Sequence, residues 1–119
     1  MPSIGVKKFL VFYIAPGSVL AEWSGTDPEV RKAAELKMRT DWQRWMQDHA
    51  ALLTLTEAAG KTKVVTTSGI ADGRNDIMLY SVVEAESQER AAEAFADHPH
   101  LAIPQASIQV MEVRSMGPG

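Results

Sequence analysis

Two stretches of the chain, FLVFYI at residues 9–14 and IMLYSVV at residues 77–83, are apolar or aromatic with almost no regard to parity. A strand with one wet face alternates polar and apolar side chains. Runs like these describe strands covered on both sides. Whatever fold the chain adopts must therefore cover two faces of one sheet. Two further runs read as strands: KVVTTSGI at residues 63–70 and IQVMEV at residues 108–113. Pro16 and Gly17 end the first strand, and ADGRND with its Asp-Gly pair reads as the turn before the third.

Helix signals fill the gaps. In GTDPEV, Asp27 is placed to cap, Pro28 suits the first helical position and Glu29 complements the positive end of the dipole. Ala34, Met38, Trp42, Trp45, His49 and Leu52 follow at spacings of three and four, one stripe of a long helix. Glu35, Arg39, Gln43 and Gln47 take the opposite face, and Gly60 ends the helical region. A second helix opens at Ser87 as N-cap with Glu89 in its first turn. Ala91, Ala92, Phe95 and Ala96 form its inner face, and Pro99 stops it.

The resulting order, β-α-β-β-α-β, predicts the α+β class and a ferredoxin-like sandwich. It has a four-stranded antiparallel sheet with two helices on one face. Two helices cover one face only. The other face is expected to meet a second copy, sheet against sheet, in a homodimer that forms a dimeric α/β barrel.

A chain of 119 residues, 45% apolar and 23% charged, fits one soluble domain with a core over about residues 7–114 and a loose tail at 115–119. The start, MPSIGVKKFLVFYIAPG, imitates a signal peptide. Its apolar run is short, no small-residue cleavage site follows, and it falls well below a membrane span. A net charge of −3 with scattered basic residues gives no reason to expect nucleic acid or membrane partners. The chain has no cysteine, which removes disulfides, thiolate nucleophiles and Cys-ligated zinc. A cytoplasmic location is expected.

The chemistry centres on three histidines. His49 lies inside the apolar stripe between Trp45 and Leu52. It is read either as a buried neutral imidazole satisfied by a carbonyl or Asp48, or as a general base in a desolvated pocket. His98 and His100 flank Pro99 in ADHPHLAIP. A histidine in the last helical turn suits the negative dipole end, which accounts for His98 but not for His100. The three histidines, or two with Asp97, could in principle hold a metal. None has the i, i+4 spacing of strong motifs, so no metal and no cofactor is expected. Trp42, Trp45, Tyr13 and Tyr80 are either core or the wall of an apolar pocket.

At this point a resemblance appears. HAALLTLTEAAGK, a strand with Gly69, LYSVVEAESQERAAEAFADHPHL and the terminal SIQVMEV strand resemble the YCII-related domain, especially the DGPF-type branch, over about residues 7–114. The resemblance implies a helix histidine at His49 before an Ala-Gly-Lys helix end. It also implies an Asp-Pro after the second helix, whose Asp pairs with that histidine. Here the matching residues are His98 and Pro99. An arginine three residues before the helix histidine is Met46 here, which weakens anion binding. The resemblance further implies dimers that bind small, often aromatic molecules between helix and sheet.

The expected function is a small-molecule lyase or isomerase, cofactor-independent, using His49, His98 and His100 for acid–base chemistry, with Trp45, Tyr80 and Asp97 contacting a small apolar or aromatic ligand. The alternatives are a dimer that binds such a ligand without turnover and a structural or interaction dimer with no site.

Overall fold

The computed structural model describes residues 5–116. Its main sheet is built from Lys7–Ile14 (β1), Leu53–Ala58 (β2), Ile77–Ala85 (β5) and Ser107–Glu112 (β6) in the order β2-β5-β1-β6. Every neighbouring pair is antiparallel. Each crossover passes over one strand: β1 to β2 over β5, and β5 to β6 over β1. That is the ferredoxin-like split βαβ arrangement. Thr62–Thr66 (β3) and Gly69–Gly73 (β4) form a separate hairpin between β2 and β5. The helices are Gly17–Ser24 (α1), Pro28–Asp48 (α2) and Gln88–Glu93 (α3), followed by a 3-10 turn at Pro99–Ala102.

The helix starts follow the sequence signals. The Asp27 side chain accepts from the Val30 amide at 3.2 Å, with Pro28 as the first helical residue. Ser87 Oγ accepts from the Arg90 amide at 3.1 Å. Alternation then sorts the strands. Phe9, Val11 and Tyr13 of β1 and Ser81 and Val83 of β5 are fully buried on the inner face, under Trp45 of α2, Ala91 of α3 and Phe95. Leu10, Phe12, Tyr80 and Val82 have the other parity and are half-buried. Neither α2 nor α3 covers that outer face.

Four expectations are corrected. The helical region does not reach Gly60: α2 stops at Asp48, His49 is its C-cap, and Leu52 sits in the following turn. LTLTEA then supplies the sheet's second strand, because its Leu/Thr alternation suits an edge partner for β5. The run at residues 63–70 is not in the sheet at all. It holds β3 and the start of β4, joined at Thr67 and Ser68, with Gly69 at φ 129°. That positive φ is what Gly tolerates and other residues do not. Asp72-Gly73 ends β4 and does not make the turn. The second helix stops at Glu93 and does not run on to Pro99; Ala91 on it and Phe95 beyond it are buried as expected, but Ala92 and Ala96 are exposed. Of the expected tail, residues 117–119 lie outside the described residues.

The β3–β4 hairpin and the first half of α2 extend from the body. Val65 and Ile70, cross-strand partners in the hairpin, are 73% and 72% exposed, and Val30 and Leu36 of α2 are also open. The radius of gyration is accordingly 16.8 Å, against about 13.5 Å for a compact chain of this length. Among the described residues no helix is long and apolar enough to cross a membrane.

Candidate active site between helix and sheet

The end of α2 fixes His49. Its backbone N–H and its ring Nδ1 both meet the Trp45 carbonyl, at 3.0 and 2.8 Å. A carbonyl oxygen only accepts, so the network assigns the proton to Nδ1. In the neutral ring Nε2 is then the basic nitrogen. The imidazole stacks on the Trp45 indole at 4.1 Å and 17° and is half-buried.

His98 is fixed differently. Pro99 holds it extended, at φ −65° and ψ 137°, and it caps the 3-10 turn: Nδ1 accepts from the His100 amide at 3.0 Å. Nδ1 is therefore unprotonated in the neutral ring and Nε2 carries the hydrogen. The residue is 2% exposed, and Nε2 is buried with no partner among the described residues. Trp42 and Trp45 lie 4.3 and 4.4 Å away by ring centroid, and Tyr13 and Phe95 at 5.1 and 5.9 Å. Burial, reinforced by repulsion from His100 and His49, lowers the His98 pKa to about 3. It is a neutral imidazole at any ordinary pH.

His100 acts as a fastening. Its Nε2–H donates to the Ile14 carbonyl at 2.8 Å, tying the 3-10 turn to the end of β1. Burial lowers its pKa, opposed by hydrogen bonds to the Ile14 and Ser107 backbone. Its ring stands edge-on to Tyr13 at 5.7 Å.

The three rings therefore converge. His98 and His100 share Tyr13, and His49 and His98 share Trp45. Two contacts of 4.1 and 4.4 Å through one indole keep His49 and His98 inside the roughly 10 Å beyond which no direct or single-water contact is possible. Beneath them runs a chain of hydroxyls: Tyr13 Oη to Ser81 Oγ at 2.8 Å, and Ser81 Oγ to Thr56 Oγ1 at 2.7 Å. Burial raises the Tyr13 pKa, and its bonds to Ser81 and Thr56 oppose that. Ser81 and Thr56 were not singled out from the sequence. A signal was there: Ser81 is the one small polar residue in IMLYSVV, and a buried hydroxyl needs a partner.

Trp45 borders a groove of about 230 Å3 with Arg44, Asp48, Asp97 and Pro99, where Asp97 is an exposed rim residue. Tyr80 is not brought to the histidines. It shares parity with Val82 and faces outward, and its hydroxyl donates to Glu57. A larger hollow of about 610 Å3 lies at the base of the hairpin beside Lys61, Lys63 and Arg74 and contains no histidine. Among the described residues no group of three His, Asp or Glu side chains could hold a metal ion.

No known family model matches the chain, and no curated protein matches it. Among solved structures the chain is similar to 5-chloro-2-hydroxyhydroquinone dehydrochlorinase from Burkholderia phenoliruptrix AC1100, solved in complex with 2,5-dihydroxybenzoquinone. The identity is 15% and the TM-score 0.44, over 86% of this chain and 90% of that one.

Proposed function

We propose that the protein is a small-molecule lyase or isomerase that works by histidine acid–base chemistry, without a cofactor, in the layer between α2 and the sheet. The observation that carries this reading is His49. The Trp45 carbonyl holds its Nδ1–H, which orients the ring and leaves Nε2 as the lone pair able to take a proton. Where the YCII-related pattern has a carboxylate, this chain has His98, held neutral by burial. Proton transfer therefore falls to His49, and His100 positions the 3-10 turn. The indoles of Trp42 and Trp45 favour a planar, largely apolar ligand. The working unit is a homodimer closed through the outer sheet face, as a YCII-like barrel would be.

The test needs no knowledge of the product. Hydroxylated aromatic and enolisable carbonyl compounds are incubated with the protein in D2O, and deuterium entry at carbon is followed by proton NMR. Catalysed exchange is expected with at least one compound, falling by about 100-fold or more in His49→Gln. Exchange that survives in His49→Gln would remove His49 as the base. A second reading, a binding dimer without turnover, is favoured by one observation: His98 cannot take up a proton near neutral pH. It predicts binding with no exchange.

A further inference from the structure

We infer that His98 is a fixed hydrogen-bond donor, its Nε2–H serving an acceptor oxygen on a small planar ligand, a ring bearing a hydroxyl or carbonyl group, seated against Trp42 and Trp45. The inference rests on the proposed ligand site between helix and sheet and gives that ligand a chemical class.

Three observations converge. The first is the tautomer. The amide of His100 occupies His98 Nδ1 at 3.0 Å, so the only hydrogen the neutral ring can carry is on Nε2. The second is the vacancy of that hydrogen. Nε2 is buried and meets no acceptor among the described residues, and it is the one buried side-chain nitrogen or oxygen among them in that position. Native folds pair their buried donors, so an orphan points to a visiting acceptor. The third is the company. The ring has aromatic neighbours in Tyr13, Trp42, Trp45 and Phe95. The Tyr13 hydroxyl is already bonded to Ser81, and the Trp45 indole N–H to the Ala94 carbonyl. A ligand there finds flat apolar faces and the His98 donor, which describes a ring with an oxygen on it. Trp45 and Pro99 both border the external groove.

The two imidazoles then divide the work. When His49 Nε2 takes a proton from the ligand, the electron pair left behind moves onto the ligand oxygen as an enolate or phenolate. The His98 Nε2–H stabilises that charge without moving its own proton.

Two probes of nearly the same shape test this: 4-nitrophenol and 4-nitrotoluene, titrated into the full chain with tryptophan fluorescence as readout. The wild type is expected to bind 4-nitrophenol about tenfold more tightly. His98→Phe should abolish the preference. His98→Gln, whose side-chain amide keeps an N–H near the same place, should retain most of it. Equal binding of both probes by the wild type, or a preference that survives His98→Phe, would overturn the inference and leave the pocket. Failure of both probes to bind would overturn both. Should His98→Phe not fold, the wild-type Nε2–H proton resonance decides. It should move on adding 4-nitrophenol and stay in place with 4-nitrotoluene, and its indifference to 4-nitrophenol would contradict the assignment. A retained preference with no deuterium exchange on any compound would sink the catalytic reading and leave this one standing.

Discussion

The two faces of the sheet share their strands and differ in almost everything else. On the inner face Tyr13 and Ser81 are fully buried, with His98 and His100 packed above them, each fastened by at least one hydrogen bond. On the outer face Leu10, Phe12, Tyr80 and Val82 are half-buried beneath neither α2 nor α3. The difference teaches that apolar content alone does not say which face is a core. The inner face is finished within one chain. The outer face is just as apolar, and neither α2 nor α3 closes it.

The largest effect should come from neighbouring phenylalanines of β1. Phe9→Ala opens a cavity in the inner core and should cost about 3–5 kcal/mol of unfolding free energy. Phe12→Ala should cost the isolated chain far less while halving the mass seen by light scattering from about twice 13.0 kDa. Equal costs for the two at low protein concentration would show that the outer face is covered within the chain.

Next comes pH. The unfolded chain protonates His98 near its ordinary 6.5, and the folded chain only near about 3. Between those values the unfolded state binds the extra proton. The stability His98 contributes is therefore fully present above about pH 6.5 and is lost as pH falls towards 3, by up to about 1.4 kcal/mol per pH unit. His100 shifts in the same direction. Urea midpoints at pH 7, 5.5 and 4.5 should fall in the wild type and fall less steeply in His98→Phe; parallel curves would show that His98 is not the buried neutral group.

A smaller effect is expected from Ser81→Ala, which strips a hydrogen-bond partner from both Tyr13 and Thr56. About 1–3 kcal/mol is expected, readable by denaturant unfolding, and no change would mean that water replaces the serine. The smallest is Val65→Thr at the exposed hairpin, within about 0.5 kcal/mol. A larger loss that depends on protein concentration would place the hairpin against a second copy.

Much of this layout was legible in the sequence. The apolar strands at residues 9–14 and 77–83 and the caps at Asp27 and Ser87 are local features that packing had no reason to override, whereas the helix expected to run to Pro99 stops at Glu93 and Pro99 opens the 3-10 turn instead. The second strand was hidden because Leu52 extends the helical stripe past His49, and the alternation of LTLTEA was absorbed into it. The valines of the hairpin then took the vacant place. Tyr80 was misplaced for a related reason: a strand apolar on both faces carries no parity signal to say which face meets the helices. The gathering of the three histidines could be anticipated from the topology. Their tautomers could not, because these depend on backbone partners at Trp45, His100 and Ile14 that only the folded chain supplies.

The central claim is that His49 and His98 face the same indole as opposite tautomers, one ready to accept a proton and the other held to donate a hydrogen bond. Long-range proton–nitrogen NMR of the imidazole rings at neutral pH reads this directly. The expected spectrum shows the neutral form of His49 protonated on Nδ1, and His98 protonated on Nε2 alone, unchanged as the sample is acidified to pH 5. A His98 ring protonated on Nδ1, or on both nitrogens at pH 5, would contradict it.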